Sequence, residues 1–408
     1  MKVLHINQTD VGGGAAIAAY RLHQGLLDEG LSSKLLVGKA LTSDPNVKVI
    51  SQNLRLNNQL SRFNNTLGLN YINVLSTFDI SKDQFYQEAD LLNLHNLHGA
   101  YGWFNYLAIS HLTKNKPAIF TLHDMWSFTG HCAYSYDCDR WKIGCGKCPY
   151  PDTYPKIHRD NTQLEWKLKE WVYSNSNLTI VAPSNWLVNQ ARASILNRYP
   201  IHCIPYGIDT EAYQPIDTQK CREVLGLPSD QKVIMFGATN LNDPRKGGDL
   251  VFKALQNLPN SFKKETVLLT FGSKGEEIAK QVGMKVLSLG YLNSDRLKSI
   301  AYSAADLFIF PTRADNLPLV LQESMACGTP MVSFDIGGVS DLVRPNVTGY
   351  LAQSENAEDF SHGIVTLLED EQLRQKMSEN CRAIILGEYS LELQAKRYIE
   401  IYKQVLHG

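Results

Sequence analysis

What most limits the fold of this chain is a rhythm. Short β-rich runs alternate with helical patterns nearly from end to end, and the whole pattern is played twice. Parallel strands need a crossover long enough to hold a helix, so such alternation is the sequence form of βαβ units. Val3–Ile6 is the first candidate strand. Ala15, Ala19, Leu22 and Leu26 then recur at helical spacing and predict a packed helix running to about Gly30. Further strands are expected at Lys34–Val37, Leu91–Leu94, Ala118–Leu122, Thr179–Ala182 and His202–Pro205, which completes one doubly wound unit. Pro205-Tyr206-Gly207-Ile208-Asp209 is punctuated as a connector. The rhythm then restarts with Val233–Gly237, Val267–Phe271, Val286–Leu289, Leu307–Phe310 and Met331–Phe334. The fold class is therefore α/β, with two similar halves and a hinge near 206–210. A last amphipathic helix carries Leu391, Ala395, Tyr398, Tyr402 and Val405 on one stripe, which must pack against something.

A length of 408 residues suits two or three domains. Lys and Arg total 40 against 41 Asp and Glu, a balance that argues against a constitutive nucleic-acid binder. With 44% apolar and 20% charged residues the chain reads as globular. No apolar run reaches the roughly 18 residues that span a bilayer. Met1-Lys2-Val3-Leu4-His5-Ile6-Asn7 does not read as a secretory leader. A soluble, cytoplasmic protein is expected. One stretch departs from the rhythm: residues 52–76 hold seven Asn among scattered Leu and are expected to form surface helices and loops, with an acceptor- or membrane-facing flap as the alternative.

Ligands of open α/β sheets sit beyond the carboxyl ends of the strands, and four groups of residues fall there. Asp10-Val11-Gly12-Gly13-Gly14 follows the first strand, and its glycines let an anion approach a helix N-terminus. A dinucleotide fingerprint would need glycine where Ile17 stands. Asp243-Pro244-Arg245-Lys246-Gly247-Gly248 places two cations after a strand, a fork and a point charge suited to a diphosphate. Phe308-Ile309-Phe310-Pro311-Thr312 is a strand end followed by Asp315-Asn316-Leu317-Pro318 and a helix over Leu319–Cys327. Asn316 is the expected N-cap, amides at 317–320 would face an anion, and Glu323 lies near 7 Å deeper along the axis. That offset is about the distance from a nucleotide's diphosphate to its ribose diol. Thr121-Leu122-His123-Asp124 ends a strand with a histidine able to orient a substrate.

Cys132, Cys138, Cys145 and Cys148 crowd together beside His131, with one Cys-x2-Cys pair. Structural zinc, disulfides and free thiols all remain open for them. The nearby aromatics Trp126, Phe128, Tyr134, Tyr136 and Trp141 suit stacking on sugar rings and packing equally well.

The two halves, the Gly-rich first loop, the Arg-Lys-Gly-Gly turn, and an acid eight residues before Glu323 in a helix ending Met-Ala-Cys-Gly-Thr-Pro resemble the retaining glycosyltransferases of family 4. Asp315 stands where that family usually carries Glu. The resemblance implies the GT-B architecture, two Rossmann-like doubly wound domains facing a deep cleft. It places an acceptor domain over 1–206, a nucleotide-sugar donor domain over 207–389, and a helix over 390–408 that crosses back to the first domain. It implies that Glu323 holds the ribose and that Arg245 and Lys246 hold the diphosphate. Asn316 and Leu317 would present amides to the distal phosphate, with Val320 in the same helix start, and Asp315 would bind donor-sugar hydroxyls. Gly272, Ser273, Tyr291 and Leu292 fall where such enzymes line the nucleotide. Gly13 and Gly14 would approach phosphates or acceptor, and His123 would meet the donor sugar. No Asp-x-Asp metal motif is expected in the chain, in keeping with transfer that is independent of metal and requires no cofactor. The implied activity is a hexosyltransferase moving a sugar from a UDP-sugar to a saccharide or lipid-linked acceptor in polysaccharide biosynthesis. Weak peripheral contact with the inner membrane face would follow from such an acceptor. A nucleotide-sugar 2-epimerase is the alternative among enzymes, and a non-catalytic UDP-sugar-binding protein the alternative outside them.

Overall fold

The computed structural model describes residues 1–51, 57, 59–60, 64, 66–99, 102–240, 243–273 and 282–407. The chain divides into two compact units: Met1–Gly207 with Leu391–Gly408, and Ile208–Ser390.

In the first unit the strands are β1 (Lys2–Thr9), β2 (Ser32–Lys39), β3 (Val47–Val49), β4 (Leu91–Leu94), β5 (Ala118–Thr121), β6 (Leu178–Ala182) and β7 (Ile201–Cys203). They form one parallel sheet in the order β3-β2-β1-β4-β5-β6-β7. Its core is two-sided, as expected of a parallel sheet covered on both faces. Leu4, Leu92, Phe120 and Ile180 join one buried cluster, whereas the alternate positions Val3, Leu91, Ile119 and Val181 join another. The strand order reverses at β1 and β4, which places the switch point, the usual ligand position of such sheets, beside those two strands.

The second cluster is completed by the C-terminal helix Leu391–His407, which lies on the helix Gly14–Asp28. Ala395, Tyr398 and Tyr402 of the expected stripe, joined by Ile401, bury in one cluster with Leu22 and Leu26. Contact is close at Gly25, where a Cβ would stand 3.0 Å from Leu391 Cγ. Two tyrosine hydroxyls reach through to the sheet: Tyr402 accepts from Asn93 Nδ2 at 2.9 Å, and Tyr398 meets Thr121 Oγ1 at 3.0 Å.

In the second unit the strands are β8 (Lys232–Asn240), β9 (Thr266–Ser273), β10 (Lys285–Ser288), β11 (Leu307–Phe310), β12 (Met331–Phe334) and β13 (Gly349–Ala352). All pair in parallel in the order β10-β9-β8-β11-β12-β13, with the reversal at β8 and β11. The expected α/β class and two doubly wound units are what the chain forms. Strands β3 and β13 had no counterpart in the sequence reading. Asn53, Asn58 and Asn65 lie outside the described residues, but Asn57 and Asn73 are buried and bonded (Asn73 Nδ2 to the Asn57 carbonyl, 3.2 Å), not surface residues. Among the described residues no helix is long and apolar enough to cross a membrane.

Removing the Tyr402 ring would leave a cavity beneath the sheet and strand Asn93. Tyr402→Ala is expected to cost the first unit about 3–5 kcal/mol. In urea unfolding its transition should move to lower denaturant while that of the second unit stays in place.

Candidate functional site

In the second unit, the ends of β8 and β11 converge on one ion cluster. After β8 the chain forms a short 3-10 turn, Pro244–Lys246, then Gly247 and the helix Gly248–Gln256. Gly247 has φ 68°, and a Cβ there would stand 1.8 Å from the Pro311 carbonyl oxygen, so only glycine lets the two strand ends meet. The Arg245 carbonyl accepts from the Thr312 hydroxyl at 3.0 Å and the Arg313 amide at 2.8 Å. Arg313 in turn forks onto Asp249 with two bonds of 2.7 Å. This stapling delivers Asp315 to both expected cations. Lys246 Nζ donates to Asp315 Oδ2 at 2.6 Å, and Arg245 Nη1 to the same oxygen at 3.3 Å and to the Ala314 carbonyl at 3.0 Å. Arg245 also faces Asp243 at 3.5 Å.

Burial works to raise the Asp315 carboxyl, but Lys246 and then Arg245 outweigh it and hold it below its ordinary range. Burial pushes the Lys246 ammonium down, Arg245 adds to that, and Asp315 opposes both. The carboxylate and the two cations read from sequence as separate contacts are thus one ion cluster, brought to charge balance by Asp243.

The helix Leu319–Ala326 begins two residues later than Asn316 as N-cap would require. Pro318, with ψ 121°, occupies the N-cap position and Asn316 is buried upstream of it, which corrects the expected cap. The Pro318 carbonyl accepts from Leu321 and Gln322, leaving the Leu319 and Val320 amides in the open first turn. Leu317 is buried. Glu323, on the second turn, is buried within reach of two groups that the sequence reading missed: Tyr302 Oη donates to Oε2 at 3.4 Å and Lys298 Nζ lies 4.0 Å from Oε1. Lys298 and Tyr302 stand one turn apart on the helix Asp295–Ala304. The Tyr302 ring also meets Phe271, bringing the end of β9 to the same place. There Gly272 has φ 113° and donates its amide to the Gly290 carbonyl at 2.7 Å, with Ser273 next in the strand. Tyr291 is exposed and Leu292 half-buried just beyond.

In the first unit, Gly13 takes φ 95° as the N-cap of the first helix. A Cβ at Gly13 or Gly14 would meet nothing within 4 Å, so the space before this helix is open. Asp10 is committed to structure: its carboxylate accepts from the amides of Val11, Leu41 and Thr42 and from the Thr42 hydroxyl. His123 is buried, and both of its ring nitrogens are engaged: Nδ1 with Tyr206 Oη at 2.7 Å and Nε2 with His95 Nδ1 at 3.2 Å. Asp124 accepts from His98 Nε2 at 2.9 Å and the Trp126 amide at 2.8 Å. His95, His98, His123 and Asp124 line one cavity at the ends of β4 and β5.

The four crowded cysteines and His131 also share a cavity lining, with His131 Nε2 3.1 Å from Cys148 Sγ and the Gly130 amide 3.2 Å from Cys145 Sγ. All are free thiols, and burial pushes Cys132 up to about 12 and Cys145 up to about 11. Among the described residues no group of three or more His, Cys, Asp or Glu is arranged to hold a metal ion. The chain does contain an Asp-x-Asp triplet here, Asp137-Cys138-Asp139, whose carboxylates are turned to Tyr150 and Lys142. Trp126, Phe128 and Trp141 are buried packing residues, whereas Tyr136 is exposed.

Two doubly wound parallel-sheet units in one chain define the GT-B class of fold. A sucrose-phosphate synthase from Thermosynechococcus elongatus shares it at TM-score 0.71 and 18% identity, over 99% of both chains. HepE from Anabaena, whose structure holds UDP and glucose, matches at TM-score 0.69 and 17% identity, over 99% of this chain and 100% of that one. In sequence, WcaC of Escherichia coli strain K12, named as a colanic acid biosynthesis glycosyl transferase, is 28% identical over 363 residues, 82% of this chain and 83% of its own. The family described as glycosyltransferase family 4 matches residues 12–212, and that described as glycosyl transferases group 1 matches residues 217–384. The chain belongs to the group 1, family 4 glycosyltransferases.

Because Asp315 is held below its ordinary range, its contribution to stability is present above the unfolded carboxyl value and is lost as pH falls through the folded one. Asp315→Asn should therefore cost the second unit about 2 kcal/mol at neutral pH. The gap to the parent chain should close as urea unfolding is repeated at successively lower pH.

Proposed function

We propose that the chain moves a hexose from a UDP-sugar to a hydroxyl of a saccharide or lipid-linked saccharide in polysaccharide biosynthesis, with retention at the anomeric carbon and without a metal. The observation that carries this reading is the junction of Lys246, Arg245 and Asp315 at the switch point of the second sheet. The naming of WcaC for colanic acid biosynthesis and the UDP and glucose held by HepE support it.

In this reading the diphosphate takes Lys246 and Arg245 from Asp315, and the Leu319 and Val320 amides add the positive end of a helix. Asp315, released, accepts from hydroxyls of the donor sugar. Asn316 and Leu317 shape the turn around the distal phosphate. Glu323 accepts the ribose hydroxyls, with Lys298 and Tyr302 holding its carboxylate in place. Gly272, Ser273, Tyr291 and Leu292 border the nucleotide. Gly13 and Gly14 present the open helix start of the first unit to phosphate or acceptor. Transfer breaks the bond from the anomeric carbon to the phosphate oxygen and forms one to the acceptor oxygen on the same face. The acceptor proton passes to the departing phosphate, so UDP leaves with its charge held by Lys246, Arg245 and the helix start. An acceptor of this kind would bring the protein to the inner membrane face.

The test is nucleotide release from UDP-, GDP- and ADP-sugars in the presence and absence of a chelator. Release from a UDP-sugar that persists with chelator, drops about 10²–10³-fold in Arg245→Ala and is lost in Glu323→Ala is expected. Inversion of the sugar at C2 with no acceptor would assign a 2-epimerase instead, and tight binding without release a binding protein.

A further inference from the structure

The helix Thr162–Ser174 of the first unit carries charge on its inward side and apolar residues on its outward side. Its inward face holds Glu165 and Lys169, 3% and 1% exposed, beside Trp166, Val172 and Tyr173. The Glu165 carboxylate accepts from Tyr106 Oη and from the Asn70 amide, each at 2.5 Å. Lys169 Nζ donates to the Trp126 and Thr129 carbonyls at 2.6 and 2.9 Å. These bonds fix the inward face, so the helix cannot turn to hide what it exposes. Leu164, Lys167, Leu168 and Trp171, spaced i, i+3, i+4 and i+7, share the outward side. Leu164 is 44% and Trp171 57% exposed, and Leu168 is half-buried. A helix that is apolar on both sides is normally covered on both.

A loop extends this surface. The segment 140–146 is seated on the start of the helix, where the Gly146 amide donates to Thr162 Oγ1 at 2.9 Å and Trp166 Nε1 to the Trp141 carbonyl at 2.8 Å. Arg140 Nη1 closes the loop on the Gly146 carbonyl at 3.2 Å. Between them Ile143 is 89% exposed, the most exposed large apolar side chain among the described residues. Exposed cations flank the surface: Arg140, Lys142 and Lys147 from the loop, Lys167 from the helix, and Arg198, which donates to Ser174 Oγ at the helix's far end. The acids close by are engaged. Asp139 pairs with Lys142 at 2.8 Å, Asp160 accepts from the Cys148 amide and from Thr162, and Glu170 is half-buried.

We propose that this face, Trp171 and Leu164 with Ile143 among Lys142, Lys147 and Lys167, docks on an anionic phospholipid surface. The proposal rests on the reading of a lipid-linked acceptor given above, and it names the part of the first unit that meets the membrane. An indole is at home at the boundary between headgroups and acyl chains, and the aliphatic side chains beside it enter the same layer. Long, flexible cations reach the lipid phosphates around them. A stable protein partner would need about 800 Å² from this side, more than these four apolar side chains offer.

The test is flotation of the full chain with vesicles of phosphatidylcholine alone and of phosphatidylcholine mixed with phosphatidylglycerol. Binding to the mixed vesicles that weakens with added salt is expected, with little binding to phosphatidylcholine alone. Replacing Leu164 and Trp171 together by Ser should lower binding at least about tenfold. Lys147→Glu and Lys167→Glu should each lower it at least about fivefold. Thermal unfolding and calorimetric UDP binding of all variants should match the parent, which separates lost docking from lost fold. Undiminished binding in the double Ser variant overturns the proposal, as does a parent chain that binds neither kind of vesicle. A dimer in sedimentation that Trp171→Ser abolishes, without vesicle binding, would assign the face to a second copy instead. If the double variant does not fold, the two charge reversals and the salt dependence decide. Nucleotide release measured without vesicles tests the transfer reading separately. Docking through this face by a chain that releases no nucleotide would overturn that reading alone, and release without docking would overturn this proposal alone.

Discussion

The Asp315 carboxylate is held by two cations that approach from a different strand end. Lys246 and Arg245 lie after β8 and Asp315 after β11, about 70 residues on, and they meet because Gly247 lets the backbone pass within van der Waals distance of Pro311. A cluster of this kind is poised. Two half-buried cations without Asp315 would repel one another, and Asp315 without them would be an uncompensated charge. An anion of sufficient charge can replace Asp315, and the carboxylate is then freed a few ångströms from the anion it gave way to. In the proposed reading, one exchange of partners would both grip a diphosphate and expose a hydrogen-bond acceptor to the sugar attached to it.

The first unit uses polar groups differently. Its polar layer is interior: Asn93, Thr121, Tyr398 and Tyr402 tie the C-terminal helix to the sheet, and the contact of His95 with His123 continues that layer to the strand ends. Both networks sit at the reversal of strand order in their own sheet, where neighbouring crossovers diverge and leave strand ends uncovered. The chemistry of each unit thus occupies the position that the topology leaves available.

The sequence made the alternation, the two doubly wound units and most strands legible because apolar β-rich runs persist where a parallel sheet is buried on both faces. It did not reveal β3, three residues of which two are exposed, nor β13, where Gly349 and Tyr350 mask the pattern. Residues such as Lys246, Asp315 and Glu323 were legible as candidates because each follows a recognisable strand end. Their partners were not. Lys298 and Tyr302 reach Glu323 from another helix, and Asp315 meets Lys246 across two strand ends, so no local pattern records either contact. Asn316 has the composition of an N-cap, but its side chain is buried and Pro318 takes the position. His95 was open to the same reasoning that singled out His123, since it too directly follows a strand. Tyr206 read only as part of a connector, because its bond to His123 spans 83 residues.

The exchange of partners at Asp315 is tested most directly by calorimetric titration of UDP, without sugar, into the parent chain and Asp315→Asn at low ionic strength. If the carboxylate competes with the diphosphate for Lys246 and Arg245, its removal frees both cations, and UDP should bind about tenfold more tightly to the variant. Equal or weaker binding of UDP by Asp315→Asn would mean that the carboxylate does not neutralise the phosphate-binding charges, and the account of this site would fail.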